Sequence, residues 1–111
     1  MNGDRLELSE PLSFWGGFDP QTGMITDPAH PQYGEKVTGK VLVLERTRGS
    51  TSSPGALLES LRLGTGPSEF VIREPDTVVL VATHLARVLY DIDIPVTILS
   101  RVDPGPTRSD R

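Results

Sequence analysis

The chain has 111 residues, which suits one compact domain and not two. Fifteen acidic residues against eleven basic ones leave a formal charge of −4, and this argues against nucleic acid or an anionic membrane as the main partner, because both select a basic face. With no cysteine and two histidines, His30 and His84, the composition excludes a disulfide scaffold, a zinc ribbon, a thiol nucleophile and a self-contained iron–sulfur site, and it disfavours a protein-only transition-metal site.

The first element is a half-buried strand over Arg5-Leu6-Glu7-Leu8-Ser9-Glu10-Pro11-Leu12, where apolar and polar residues alternate and Leu6, Leu8 and Leu12 face inward. Phe14-Trp15 extends it before Gly16-Gly17 breaks it. From Gly16 to Gly39 the sequence is dense in turn pairs: Asp19-Pro20, Thr22-Gly23, Asp27-Pro28, His30-Pro31 and Tyr33-Gly34. So long a connection in a small domain is expected to be functional or ordered by contacts, here with Trp15, Phe18, Met24, Ile25 and Tyr33 pinning it.

Lys40-Val41-Leu42-Val43-Leu44-Glu45 is a nearly continuous apolar run and predicts a central strand covered on both faces. A Ser-rich loop follows. The segment from Ala56 to Leu63 has helical spacing, with Ser53 as N-cap, Pro54 at the first helical position and Gly64 closing it. Glu69 to Arg73 predicts a short strand, and Asp76 is placed to cap a helix over roughly Thr77 to Tyr90. Its inward stripe is Val78, Val81 or Ala82, Leu85, Val88 and Leu89, although the Val-rich start also suits a strand. Pro95 to Leu99 predicts a last strand. Residues 1–101 are thus expected to form the domain, and 102–111 a disordered tail. The opening residues lack the apolar core of a secretory leader, and the longest apolar run, Val78 to Ala82, falls far short of the roughly 20 residues that span a bilayer, so a cytoplasmic location is expected. Strands alternating with helices give an α/β class with at least one parallel pair.

The connection from Val41 to Leu63 is the strongest candidate site. A loop that leaves a strand's C-terminal end and opens a helix presents backbone N–H groups and a positive dipole end, and Arg46, Arg48, Ser50, Thr51, Ser52 and Ser53 surround it. Such a loop can hold a carboxylate or phosphate. It lacks a P-loop lysine, which disfavours nucleotides. The plain alternative is a Ser-rich connection with one capping serine. Trp15 beside Gly16-Gly17 reads as a packing pin or as a place of close approach. His30 reads as a turn-capping residue before it reads as an acid or base, and His84 as a helix-face residue.

Taken together, Phe14-Trp15-Gly16-Gly17-Phe18-Asp19-Pro20-Gln21-Thr22-Gly23-Met24-Ile25-Thr26-Asp27, His30-Pro31, Gly34, Gly39-Lys40-Val41-Leu42-Val43-Leu44 and Arg48-Gly49-Ser50-Thr51-Ser52-Ser53 resemble the small subunit of the aconitase X family. Glu74-Pro75-Asp76, its helix and the Pro95-Val96 strand extend the resemblance over roughly Leu6 to Leu99. It implies a swivelling β/β/α domain, with a mixed sheet and two main helices. It implies a hydro-lyase that dehydrates a small hydroxy acid of the phosphomevalonate or cis-3-hydroxyproline type, inactive without its large catalytic subunit. An iron–sulfur cluster or mononuclear iron is implied on that large subunit and no cofactor on this chain.

By position, the family's Gly-Ser falls on Gly49-Ser50. The resemblance therefore implies Ser50 as proton acceptor, with Gly49, Thr51, Ser52, Ser53 and Arg48 binding substrate. The related aconitase loop reads Gly-Ser-Ser-Arg-Glu, whereas here Arg46 and Arg48 precede the serines, so aconitase's substrate contacts do not transfer. The competing expectation is a swivel-fold binding or regulatory module without chemistry; a phosphate-ester enzyme acting alone would need a base, metal or nucleophile pair that this composition barely supplies.

Overall fold

A continuous apolar run with β-branched residues makes Val41–Leu44 a strand, and its neighbours make it an interior one. In the computed structural model, which describes residues 4–49 and 51–99, the elements run β1 (Arg5–Glu7), β2 (Phe18–Asp19), β3 (Met24–Ile25), β4 (Val41–Leu44), α1 (Ser53–Leu63), β5 (Glu69–Ile72), α2 (Thr77–Tyr90) and β6 (Val96–Ile98). The expected boundary at 101 and the tail 102–111 lie outside the described residues. β1, β4, β5 and β6 form one sheet in the order β1-β4-β5-β6, with every pair parallel. β2 and β3 pair antiparallel in a separate ribbon. The pairings expected in one mixed sheet are thus divided between a parallel sheet and an antiparallel hairpin.

Register determines the core. Leu6, Leu42, Phe70 and Val96 stand in one row, and Leu44, Ile72 and Ile98 in the next row on the same face. Leu42, Leu44, Phe70 and Ile72 are buried there in one cluster with Leu57 and Leu61 of α1 and Val79, Ala82 and Ala86 of α2. On the opposite face Glu7, Val43, Val71 and Thr97 share a row. Val41 and Val43 are only half-buried, because both helices belong to the first face. β4 is therefore central but covered on one side, which corrects the doubly covered expectation. A shallow groove of about 250 Å³, lined in part by Glu7, Val43, Val71 and Arg73, runs along the open side.

α1 ends at Gly64, whose φ of +80° is the left-handed value that terminates helices. At its other end the N-cap is Ser52 rather than Ser53, and Pro54 falls in the first turn, where no hydrogen bond is lost. Asp76 caps α2 as expected, and Asp91 closes it at φ +58°. The inward stripe of α2 is Val79, Ala82, Thr83 and Ala86, while Val81, Val88 and Leu89 are exposed. The helix is rotated from the hydrophobicity-based stripe, so that Ala82, Thr83 and Ala86 join Val79 on its buried face, and α1 and α2 pack against each other. Among the described residues no helix is long and apolar enough to cross a membrane.

The long connection is ordered, as expected, and Phe18 and Ile25 pin it as expected, but Phe14 and Val37 join them in place of Trp15 and Tyr33. Phe14 and Phe18 meet edge to face at 4.9 Å and are buried with Ile25 and Val37. Met24 is half-buried, whereas Trp15 (59% exposed) and Tyr33 (58%) point to solvent and pin nothing. Gly23 lies where the hairpin meets Thr38 and Thr65, at φ +79° and with no space for a side chain.

Candidate functional site

The chain leaves β4 at Leu44 and reaches α1 at Ser53, and each residue of the intervening stretch from Arg46 to Gly49 has a defined anchor. Thr47 bridges Leu12 in parallel fashion, and the next amide, of Arg48, donates to the Leu12 carbonyl at 2.9 Å. This continues the β1–β4 alignment beyond the sheet. On its other side, the Thr47 amide donates to Asp76 Oδ2 at 2.7 Å, and its hydroxyl donates to the same carboxylate at 2.9 Å. Asp76 also accepts from the Val79 amide at 3.2 Å, which is its capping bond to α2. Thr47 and Asp76 are both buried.

Gly49 fits in a space with no vacancy. A Cβ there would stand 2.8 Å from Ser53 Oγ and 3.7 Å from Val78 Cγ2, so the loop passes between the first turns of α1 and α2. Only hydrogen fits at that approach.

Two guanidiniums mark the rim. Arg46 pairs with Glu74 at 3.6 Å and Arg48 with Asp27 at 4.0 Å, all four side chains retaining solvent contact. Exposed pairs of this kind contribute little to stability, and they leave both cations accessible to an incoming anion. The first turn of α1 carries no acidic residue, so nothing on that helix offsets the positive end of its dipole. Its one carboxylate, Glu59, lies two turns along and bonds Arg62 at 2.6 Å; that hydrogen bond holds the Glu59 carboxyl below its ordinary range.

Of the residues expected in the site, Arg48, Gly49, Thr51 and Ser52 lie at the surface around the start of α1, while Ser53 is fully buried beneath Gly49. Ser50 lies outside the described residues. Sequence reasoning missed two contributors, Asp27 as partner of Arg48 and Asp76 as partner of Thr47. Each pair is more than twenty residues apart in sequence, and no local pattern marks such a pairing.

His30 is excluded from proton transfer by its bonds. The Gln32 amide can only donate, so Nδ1 accepts from it at 3.0 Å; the ring proton is then on Nε2, which donates to the Glu10 carbonyl at 3.0 Å. Both ring nitrogens are used inside the protein and the residue is 4% exposed, as a turn-capping role requires. His84 is exposed on α2. Trp15 borders an open apolar cleft of about 330 Å³ with Phe14, Gly16, Phe18, Pro20 and Ala56, beside the first turns of α1. Gly17 permits the adjoining turn, since a Cβ would meet the Ser13 carbonyl at 2.9 Å. Among the described residues no three His, Asp or Glu side chains converge as a metal site. The arrangement places Arg48, Thr51 and Ser52 at the surface around the positive end of the α1 dipole, an environment that favours a small anion.

Residues 1–108 match the aconitase X swivel domain family. The phosphomevalonate dehydratase small subunit of Methanopyrus kandleri is 45% identical over 88 residues, covering 79% of this chain and 65% of that protein. The Pyrococcus furiosus protein of the same name is 40% identical over 86 residues, covering 78% and 64%. The chain thus spans a little under two thirds of the length of these relatives. The cis-3-hydroxy-L-proline dehydratase of Hypocrea jecorina is 37% identical over 102 residues, 92% of this chain but only 17% of that protein. The crystal structure of holo-form aconitase X from Thermococcus kodakaraensis superposes with a TM-score of 0.74 at 29% identity, over 93% of this chain and 76% of that one. The chain belongs to the aconitase X swivel domain family.

Proposed function

We propose that this swivel domain is one component of an aconitase X-type dehydratase, acting with a larger catalytic chain on a small hydroxy acid of the phosphomevalonate or cis-3-hydroxyproline kind. The observation that supports the reading most is the anchored loop between β4 and α1. It brings Arg48 and an unneutralised helix N-terminus to one exposed patch, next to the position where family resemblance puts a proton-accepting serine.

In this proposal Ser50 takes the proton from the substrate carbon. The C–H electron pair becomes the new C=C bond, and the neighbouring C–O bond breaks with its electron pair leaving on hydroxide. The proton taken up by Ser50 is passed on to that hydroxide, so the products are the alkene acid and water and the base is restored. A serine hydroxyl is a weak base near neutral pH, so the step needs surroundings that favour its deprotonated form. The α1 amides and the Arg48 cation supply them. Gly49, Thr51 and Ser52 line the approach of the substrate's anionic groups, and Ser53, from below, supports the turn. In this reading the iron centre sits on the larger chain, since this chain has no cysteine to hold a cluster. Lewis-acid assistance to the leaving hydroxyl is therefore assigned to the larger chain.

The test is anaerobic co-expression with the larger chain and assay of both substrate types. Dehydration is expected from the pair and not from this chain alone. Ser50→Ala is expected to abolish turnover while leaving assembly intact. Wild-type turnover in that variant would remove Ser50 from its role, and a failure of any large chain to co-purify would favour a binding module.

A further inference from the structure

We propose that Asp76 is a positioning residue for the serine loop, beyond its service as the cap of α2; the inference rests on the functional reading of that loop given above. A cap needs one acceptor for one amide. Asp76 gives its Val79 bond 3.2 Å and its Thr47 amide bond 2.7 Å, with two further contacts to the Thr47 hydroxyl at 2.9 Å. The shorter, charge-assisted bonds thus go to the loop rather than the helix. Asp76 is 9% exposed, and at such a position these bonds are stronger than in water and costly to leave unmade.

The consequence is a clamp. Leu12 holds one edge of Thr47–Arg48 through a backbone bond and a β-bridge, and Asp76 holds the other. Two residues after Asp76, Val78 packs beside Gly49, which also fits against Ser53. The first turn of α2 therefore determines how the Thr47–Gly49 backbone stands against the first turn of α1. A displacement of about 1 Å in a loop that carries reacting groups costs on the order of 100-fold in rate.

Asp76→Ser separates the two roles. Serine is a good N-cap, but its single, shorter hydroxyl cannot serve Val79 and the Thr47 amide together. The full chain, assembled with its larger partner, is assayed for kcat and KM, and the full chain is also followed by amide hydrogen exchange. We expect kcat to fall about 100-fold with KM nearly unchanged, and the Thr47 amide to lose at least about tenfold in protection while Ala82 and Ala86 keep theirs. Thr47→Val, which retains the backbone bond, is expected to lie between Asp76→Ser and wild type. A kcat within twofold of wild type overturns the proposal, as does undiminished Thr47 protection. If the wild-type assembly dehydrates neither substrate type, the functional reading has failed, and the exchange contrast alone decides whether Asp76 holds the loop.

Discussion

Gly49→Ala is the sharpest test of the packing beneath the loop. The backbone there is not in the left-handed region, so alanine carries no conformational penalty and the effect is steric. The added methyl would lie 2.8 Å from Ser53 Oγ and 3.3 Å from Ser53 Cβ. The first distance is well inside carbon–oxygen contact. Ser53 cannot give way easily, because it is 0% exposed and is the first residue of α1, followed by the rigid Pro54. Relief must come from moving the loop off α1 or α1 off the sheet. Overpacking of one methyl in such surroundings costs about 1–3 kcal/mol. Urea unfolding should show the loss as a lower midpoint with an unchanged slope.

A double-mutant cycle identifies the cause. Ser53→Ala alone should destabilise, since it removes a hydroxyl from a fully buried position. In the Gly49→Ala background the same change removes the clashing oxygen, so the double variant should be more stable than the sum of the single losses by about 0.5 kcal/mol or more. Losses that add within experimental error, or a Gly49→Ala variant within about 0.5 kcal/mol of wild type, would refute the close approach.

Three further outcomes follow from the packing. Gly23→Ala combines a left-handed φ with overlap on Thr38 Oγ1 and the Thr65 carbonyl, so it should cost more than about 3 kcal/mol and reduce soluble yield at 37 °C. His30→Ala removes a buried imidazole with its two hydrogen bonds, to the Glu10 carbonyl and from the Gln32 amide, and should lower unfolding free energy by about 1–3 kcal/mol, measured by urea titration. Phe14→Ala should cost about 3–5 kcal/mol, whereas Trp15→Ala should stay within about 0.5 kcal/mol; equal losses would contradict their opposite exposures.

Local features of the chain were legible where the physics is local. Gly64 ends α1 and Asp76 starts α2 because a left-handed glycine and an Asx cap act within a few residues. His30 is a turn residue for the same reason, through its bond to Gln32. What could not be read is which large residue faces inward. Phe14 and Trp15 are adjacent and both apolar, and only the position of Phe18 across the turn selects Phe14. In α2, hydrophobicity favoured Val88 and Leu89, but the buried face is Val79, Ala82, Thr83 and Ala86, so of the expected alternatives Val81 or Ala82 it is the smaller that took the core.

The same distinction separates the visible half of the site from the hidden half. A strand, a serine-rich turn and a helix with Pro54 near its start are consecutive in sequence, so the loop announces itself. Its supports are not consecutive: Leu12, Asp27 and Asp76 come from three different segments. Asp76 in particular had a sufficient local explanation as a cap, and nothing in its neighbourhood signalled a second partner 29 residues away. A residue whose local role is already satisfied is therefore where a site's support is most easily overlooked. A carboxylate has room for more than one bond, and here the stronger of them go to the more distant partner.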